Sequence, residues 1–301
     1  MNLKPISAKA PPLTIKAINT TSYKDRLLGY IKHPLSGLLF LIVTVAALVT
    51  FAVLLFIIGY ILIRGVPHLN LSLFEFQYNT TNVSMMPAII NTLIMVVLAL
   101  LISGPLGIFS AIYLVEYAGS ANRLVKIVRM TAETLSGIPS IVYGLFGMLF
   151  FVVTIGWGYS MLAGALTLSI MILPLVMRTT EEALISVPIS YREGSYALGA
   201  GKLRTVFRIV LPGAIPGILA GIILATGRVM GETAALLFTA GSVAQVPDSV
   251  LGSGRTLAVH MYVLANEGLH VNQASATGVV LLVLVLLINW LSAAVAKKIV
   301  K

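Results

Sequence analysis

The sequence predicts an all-α polytopic membrane protein with six transmembrane helices and both termini cytoplasmic. Three observations predict it. Of 301 residues, 58% are apolar and 10% charged, against about 25% charged in a soluble chain. Stretches free of Asp, Glu, Lys and Arg recur, each supplying the roughly 20 apolar residues with which a helix crosses a bilayer core. The 20 basic residues outnumber the 10 acidic ones and gather in alternate interspan segments. So little charge excludes an ordinary soluble enzyme or a disordered chain. Cys 0 excludes disulfides, thiolate zinc sites and cysteine nucleophiles. A net charge of +10 suggests nucleic acid only when it coats a polar surface, so no nucleic-acid partner is expected.

Residues 1–33 read as a polar cytoplasmic tail with a short helix over Tyr23–Ile31. The first span, 34–63, lies between Lys32 and Arg64. After an Asn/Thr-rich loop, Met86–Val115 reads as the second. Thr134–Met177 is too long for one helix, and Gly156-Trp157-Gly158-Tyr159 divides it into spans three and four. Ile209–Val229 is the fifth, with a continuation towards Ala240, and Ala276–Ala296 the sixth. Residues 86–296 thus form a five-helix domain, with 297–301 as a cytoplasmic C-terminus. Runs of this length in lipid are helical, because every backbone polar group needs a partner within the segment. Of the 20 basic residues, only Arg64, Arg228 and Arg255 fall on the other side of this six-span scheme. The positive-inside rule therefore places both termini in the cytoplasm.

The segment 178–208 with the start of span five carries the most specific pattern. Glu193-Gly194-Ser195 is followed by Gly199, and after nine further residues by Ile209, Val210, Leu211 and Pro212. Tyr191, Ala197, Leu198, Phe207 and Val210 form a broken apolar stripe among Arg192, Lys202, Arg204 and Arg208, as in short amphipathic helices at a membrane surface. Gly199 permits a sharp turn between them. Gly199-Ala200-Gly201-Lys202 is no phosphate-binding loop, because Tyr196 and Leu203 stand where Gly and Ser or Thr are required. The pattern E-x5-G-x9-I-x-L-P resembles the EAA loop of permease subunits of ABC importers, although Gly194-Ser195 replace the usual pair of alanines. The resemblance implies the type I ABC importer permease fold. It also implies that Glu193, Gly199, Ile209, Leu211 and Pro212 belong to a coupling loop seated in a separate ATP-binding subunit.

Further segments narrow the resemblance. Arg228-Val229-Met230-Gly231-Glu232-Thr233, Gly137-Ile138-Pro139-Ser140, Arg178-Thr179-Thr180-Glu181-Glu182 and Ala111-Ile112-Tyr113-Leu114-Val115-Glu116 are similar to stretches of permeases of the bacterial phosphate-specific importer, of the PstA type more than its sister PstC type. This implies a chain without enzymatic activity or a cofactor of its own in the bacterial inner membrane. Its implied partners are a homologous PstC-like permease, two PstB-like ATP-binding subunits that hydrolyse ATP, and an extracytoplasmic PstS-like phosphate-binding protein. A permease for molybdate, sulfate or phosphonate is the alternative, followed by a stand-alone secondary transporter.

The residues themselves support an anion path at few positions. Arg228 and Glu232 are the only charges between Arg208 and Asp248 and stand one helical turn apart. Charges inside a membrane are expensive and mark substrate paths, and a guanidinium offers a fork of donors to oxyanions. Two placements fit the pair, within span five or at the outer surface. Arg178, at the cytoplasmic end of span four, reads either as a path residue or as a headgroup anchor. Ser140, after Pro139, reads either as lining the path or as bonding its own helix. The scattered histidines give no metal site.

Overall fold

The computed structural model describes residues 34–118 and 123–299, so the tail at 1–33 with its expected helix, and Lys301, lie outside the described residues. The described residues are helical, without a strand. The chain divides into two compact units, Met1–Gly59 and Tyr60–Lys301. In the first, the described residues form an apolar helix, α1 (Pro34–Gly65), which runs on into the second unit. Its side chains before Gly59 are mostly exposed, as lipid or another subunit requires.

In the second unit, α2 is Met86–Tyr117, α3 Arg123–Ser136, α4 Ser140–Thr154 and α5 Met161–Ser186. Short α6 (Ile189–Ala197) leads to α7 (Lys202–Met230) and α8 (Ala234–Thr239). Then come α9 (Leu257–Glu267) and α10 (Val271–Ile299). With α1 counted, five of the described helices are long and apolar enough to cross a membrane. There are six if the α3–α4 pair, bent by 101°, counts as one span. At 1.5 Å per residue, the 26 residues of α5 rise about 39 Å, ample for about 30 Å of hydrocarbon.

Sequence chemistry explains the breaks. Gly137-Ile138-Pro139 ends α3, because the residue before a proline avoids helical dihedrals. The Tyr143 hydroxyl donates to the Leu135 carbonyl at 2.8 Å, beside the Ile138 amide that donates to the same oxygen at 3.1 Å, and so ties α4 to the end of α3. Ser160 caps α5, its hydroxyl accepting from the Ala163 amide at 3.3 Å. Gly199 at φ +80 turns α6 towards α7. At Gly231–Thr233 the fifth span stops and restarts: the Glu232 carboxylate accepts from the Ala235 amide at 3.1 Å and caps α8. The fifth span thus ends one residue past the expected Val229, its continuation towards Ala240 is a separate helix, and Glu232 is not part of α7.

Two other expectations are corrected, and α2 runs two residues past the expected end of the second span at Val115. Arg178 is inside α5, which continues to Ser186, because Thr179–Leu184 keeps helical spacing after the charges begin. The segment 178–208 is accordingly not a loop but the end of α5, all of α6 and the start of α7.

Small residues set the packing. The Ser169 hydroxyl reaches the Ala99 carbonyl at 3.1 Å, and a Cβ on Gly107 would stand 2.8 Å from Val176. These contacts advance together, so α2 and α5 run parallel. Against α7, Gly213 meets Val187, Gly217 meets Ala183 and Gly221 meets Thr179, so α7 is antiparallel to α5. The alignment continues through the break, since the Ser160 amide donates to the Thr239 carbonyl at 3.0 Å. Gly144 of α4 lies against the backbone of Ala235, where a Cβ would come within 2.8 Å. The largest buried cluster, with Met95, Leu168, Ile172, Met230 and Leu236, fills the space among α2, α5, α7 and α8.

The Ser160 end of the bundle is closed by α9 under the segment 66–85. Arg255, 4% exposed, stacks 4.7 Å from the Tyr78 ring centroid. The Asn91 amide donates to the Arg255 carbonyl at 3.1 Å. His260, fully buried in the same cluster, is held neutral: burial first, and the Arg255 guanidinium second, push its pKa from 6.5 down to about 3.

Two outcomes follow from this packing. Gly217→Leu, placing a side chain where a Cβ alone would stand 2.6 Å from that of Ala183, should destabilise the purified permease by at least about 1–3 kcal/mol. Gly194→Ala, with open space around it, should leave the melting temperature unchanged. The unfolded chain protonates His260 below pH 6.5 and the fold does not until about pH 3, so stability present above 6.5 falls as pH drops between those values. Thermal unfolding in detergent at pH 7.5 and pH 4.5 should show a smaller acid loss for His260→Gln than for the wild type.

Candidate functional site: a charged cavity and a surface helix

Three helices bring charges from distant parts of the sequence into one cavity of about 410 Å³. From α3 come Arg129, Glu133 and Ser136; from α5, Arg178, Glu181 and Glu182; from α7, Arg228. Their positions follow from local sequence. The strongly amphipathic α3 turns Arg129 and Glu133, one helical turn apart, to the same side. On α5, Pro174 in the wall cannot donate to the helix ladder. The following charged residues project on either side of buried Thr180.

The register places Arg228. It lies between the Gly221–Thr179 contact and the Ser160–Thr239 hydrogen bond, hence opposite the middle of α5. Helical side chains lean towards the helix N-terminus, which carries this guanidinium back towards Arg178. The two placements open from sequence treat the residues as a pair, which the structure divides: Arg228 is in the last turn of α7 and Glu232 lies beyond its end.

The cavity's charges are unevenly committed. Arg129 pairs with Glu181, the latter 12% exposed. Arg178 pairs with Glu182 at 3.2 Å, with side chains 64% and 66% exposed. Among the described residues, Arg228 and Glu133 have no ion-pair partner. The i,i+4 spacing of Arg228 and Glu232 produces no pair, because the helix ends between them and Glu232 caps α8. Ser140, in the first turn of α4, is not among the residues lining the cavity. Arg228 also borders a groove of about 670 Å³ with Asn289 of α10, whose Oδ1 is buried without a partner.

The second feature is α6 with the start of α7. No residue of α6 is buried. Glu193 is exposed, as are Leu198 at 90% and Ile209 at 39%, while Leu211 is half-buried and Pro212 exposed. Arg192 is the exception: its guanidinium turns inward to Glu116. The Ser195 and Thr205 hydroxyls, 2.8 Å apart, join α6 to α7.

Residues 103–301 match the family described as binding-protein-dependent transport system inner membrane component. The chain belongs to that family. A probable ABC transporter permease protein of Bacillus subtilis, YqgI, is 38% identical over 274 residues, 82% of this chain and 91% of that protein. The phosphate transport system permease protein PstA 2 of Mycobacterium bovis is 43% identical over 170 residues, 55% of this chain and 56% of the relative; the chain thus spans about half of that relative's length. Among solved structures, a bacterial alginate ABC transporter in complex with an alginate pentasaccharide-bound periplasmic protein superposes with a TM-score of 0.65 at 16% identity, covering 90% of this chain and 98% of that one. The fold is that of a type I ABC importer permease, a multi-pass membrane component.

Within this binding-protein-dependent permease, the cavity unites Arg228 and Arg178, singled out from sequence, with Arg129, Glu133, Glu181 and Glu182, which were not. Glu181 and Glu182 were legible as charges next to Arg178. Arg129 and Glu133 carried no signal beyond membrane orientation, since only the fold brings α3 against α5. His260 and Asn289 were equally silent, as isolated polar residues in apolar runs.

The exposure of the two cavity pairs predicts unequal energies. Glu181→Gln should cost about 1–3 kcal/mol by weakening a hydrogen-bonded, largely buried charge. Glu182→Gln should cost less than about 1 kcal/mol, as exposed pairs do. Thermal unfolding of the two purified variants, compared at the same salt concentration, checks the difference; equal costs would contradict it.

Proposed function

We propose that the chain is the permease subunit of an ATP-driven importer that moves inorganic phosphate across the bacterial inner membrane. The observation that carries this reading is Arg228, an unpaired guanidinium opposite the middle of α5, in a chain similar to a mycobacterial phosphate permease. A guanidinium binds tetrahedral oxyanions through a fork of charge-assisted hydrogen bonds. Arg178 and Arg129 would extend the path, exchanging their carboxylates for the passing anion. Ser140 and Glu232 receive no path role; Glu232 instead maintains the break that ends α7 beside Arg228.

In this reading the Ser186 end of α5 faces the cytoplasm, because the basic residues from Arg123 to Arg208 gather there. Both termini are cytoplasmic. A PstC-like permease completes the path, and a PstS-like binding protein delivers phosphate to the Ser160 end. Two PstB-like subunits hydrolyse ATP and receive α6, with exposed Glu193 and the turn at Gly199, as the docking element. The alternation of access follows from ligand-dependent populations of two states, which ATP binding shifts.

Arg228→Gln should lower phosphate uptake by cells or proteoliposomes at least about tenfold, the equivalent of one lost charge-assisted bond, without loss of assembled complex. Arg228→Lys should retain part of the uptake. Wild-type uptake in Arg228→Gln would remove Arg228 from the path. Uptake of labelled molybdate or sulfate in place of phosphate by the wild-type complex would reassign the substrate.

A further inference from the structure

The deepest ion pair in the described residues lies outside the cavity. Arg192 of α6 donates to Glu116 Oε1 from Nε at 3.0 Å and from Nη2 at 2.8 Å. The same guanidinium donates from Nη1 to the Val187 carbonyl at 2.8 Å and from Nη2 to the Leu184 carbonyl at 2.9 Å. The two side chains are 15% and 6% exposed. One planar group thus ties three elements: α6, the carbonyls released at the end of α5, and the terminal π turn of α2.

The surroundings make this an isolated commitment. No residue of α6 is buried, so the helix has little apolar packing to hold it. Its other tie is the Ser195–Thr205 contact to α7. Lys202, at the start of α7, stacks 5.1 Å from the ring centroid of Tyr117, next to Glu116. An arginine beside an exposed glutamate on a surface helix would ordinarily snorkel into water. Here its side chain is only 15% exposed and bonds to two other chain segments at once.

We infer that Arg192 is a positioning residue that makes α6 and the ends of α2 and α5 move as one body, so that displacement of α6 reaches the charged cavity. The inference rests on the proposed seating of α6 in an ATP-binding subunit. Without the clasp, α6 would keep its contacts with the start of α7 but lose its direct hydrogen bonds to α2 and the end of α5, and an applied movement would be absorbed locally. Lysine cannot replace arginine in this role. Its single ammonium lacks the fork that spans Glu116, Leu184 and Val187.

The absence of cysteine from the chain permits a direct test. Ser136→Cys, in the cavity wall, is labelled with a maleimide in the assembled complex, with and without ATP and vanadate. We expect nucleotide to change the labelling rate at least about threefold with Arg192 present, and by less than about 1.5-fold in Arg192→Lys. Glu116→Gln, which keeps an acceptor oxygen for the guanidinium, should retain part of the response. An unchanged response in Arg192→Lys overturns the clasp. Failure of Arg192→Lys to assemble also overturns it, by making the group a folding requirement rather than a transmitter. The readout needs no transported anion: a wild-type complex that responds to nucleotide yet imports no phosphate refutes the substrate assignment and leaves the clasp standing.

Discussion

A charge in a low-dielectric bundle must be neutralised by a neighbour, reach water, or wait for a ligand. That constraint organises the second unit. The cavity collects three guanidinium groups and three carboxylates from α3, α5 and α7, so its charges balance overall although α7 contributes only Arg228. Two ion pairs account for four of these charges. Arg228 remains as a donor whose complement the chain does not supply. In water such a group would be unremarkable. Opposite the middle of α5, where solvation is poorer, its attraction for an anion is stronger. On the proposed function an isolated arginine suits the path, since a site closed by several fixed partners would hold its anion too long.

The broken fifth span serves that arrangement. Had α7 continued, Glu232 would have come round within one turn of Arg228 and its carboxylate could have quenched the guanidinium. Ending the helix at Met230 sends the carboxylate to the Ala235 amide instead. The break needs support from outside, because two short ends expose backbone groups. Gly144 provides it by letting α4 approach the backbone at Ala234 and Ala235. The α3–α4 corner is stabilised in turn by the Tyr143–Leu135 hydrogen bond. A proline-driven bend near one end of the chain's core thus bears on whether an arginine far along the sequence is paired.

Much of this was legible before any coordinates. Apolar runs and the distribution of basic residues suffice for the spans, because hydrophobic thickness leaves few choices. The spacing from Glu193 to Pro212 sufficed for the family, and Gly199 for a turn. Helix ends near charges were less legible. Hydropathy stops at Arg178 while the helix does not, since a charged residue leaves helical hydrogen bonding intact. The helix break at Glu232 was misread for the opposite reason: Gly231 and Thr233 are tolerated in apolar helices, and only packing against α4 decides that they interrupt this one. The link between Arg192 and Glu116 joins segments 76 residues apart, and nothing in either segment's composition announces it.

The burial of the ion pairs separates what should exchange partners from what should not. Arg178–Glu182 is largely solvated, and such a pair opens at little cost. Arg129–Glu181 is intermediate. Arg192–Glu116 is the most enclosed, where losing one partner strands a charge in a poorly solvated place and is strongly destabilising. On the proposed function, a transported anion would compete with carboxylates for guanidinium groups, and it can compete only where the existing pair is weak. Force passing from a surface helix into the bundle needs the reverse, a contact that survives displacement. The order of burial runs from the cavity mouth to the α6 clasp, and both requirements are met by one type of interaction placed at different depths.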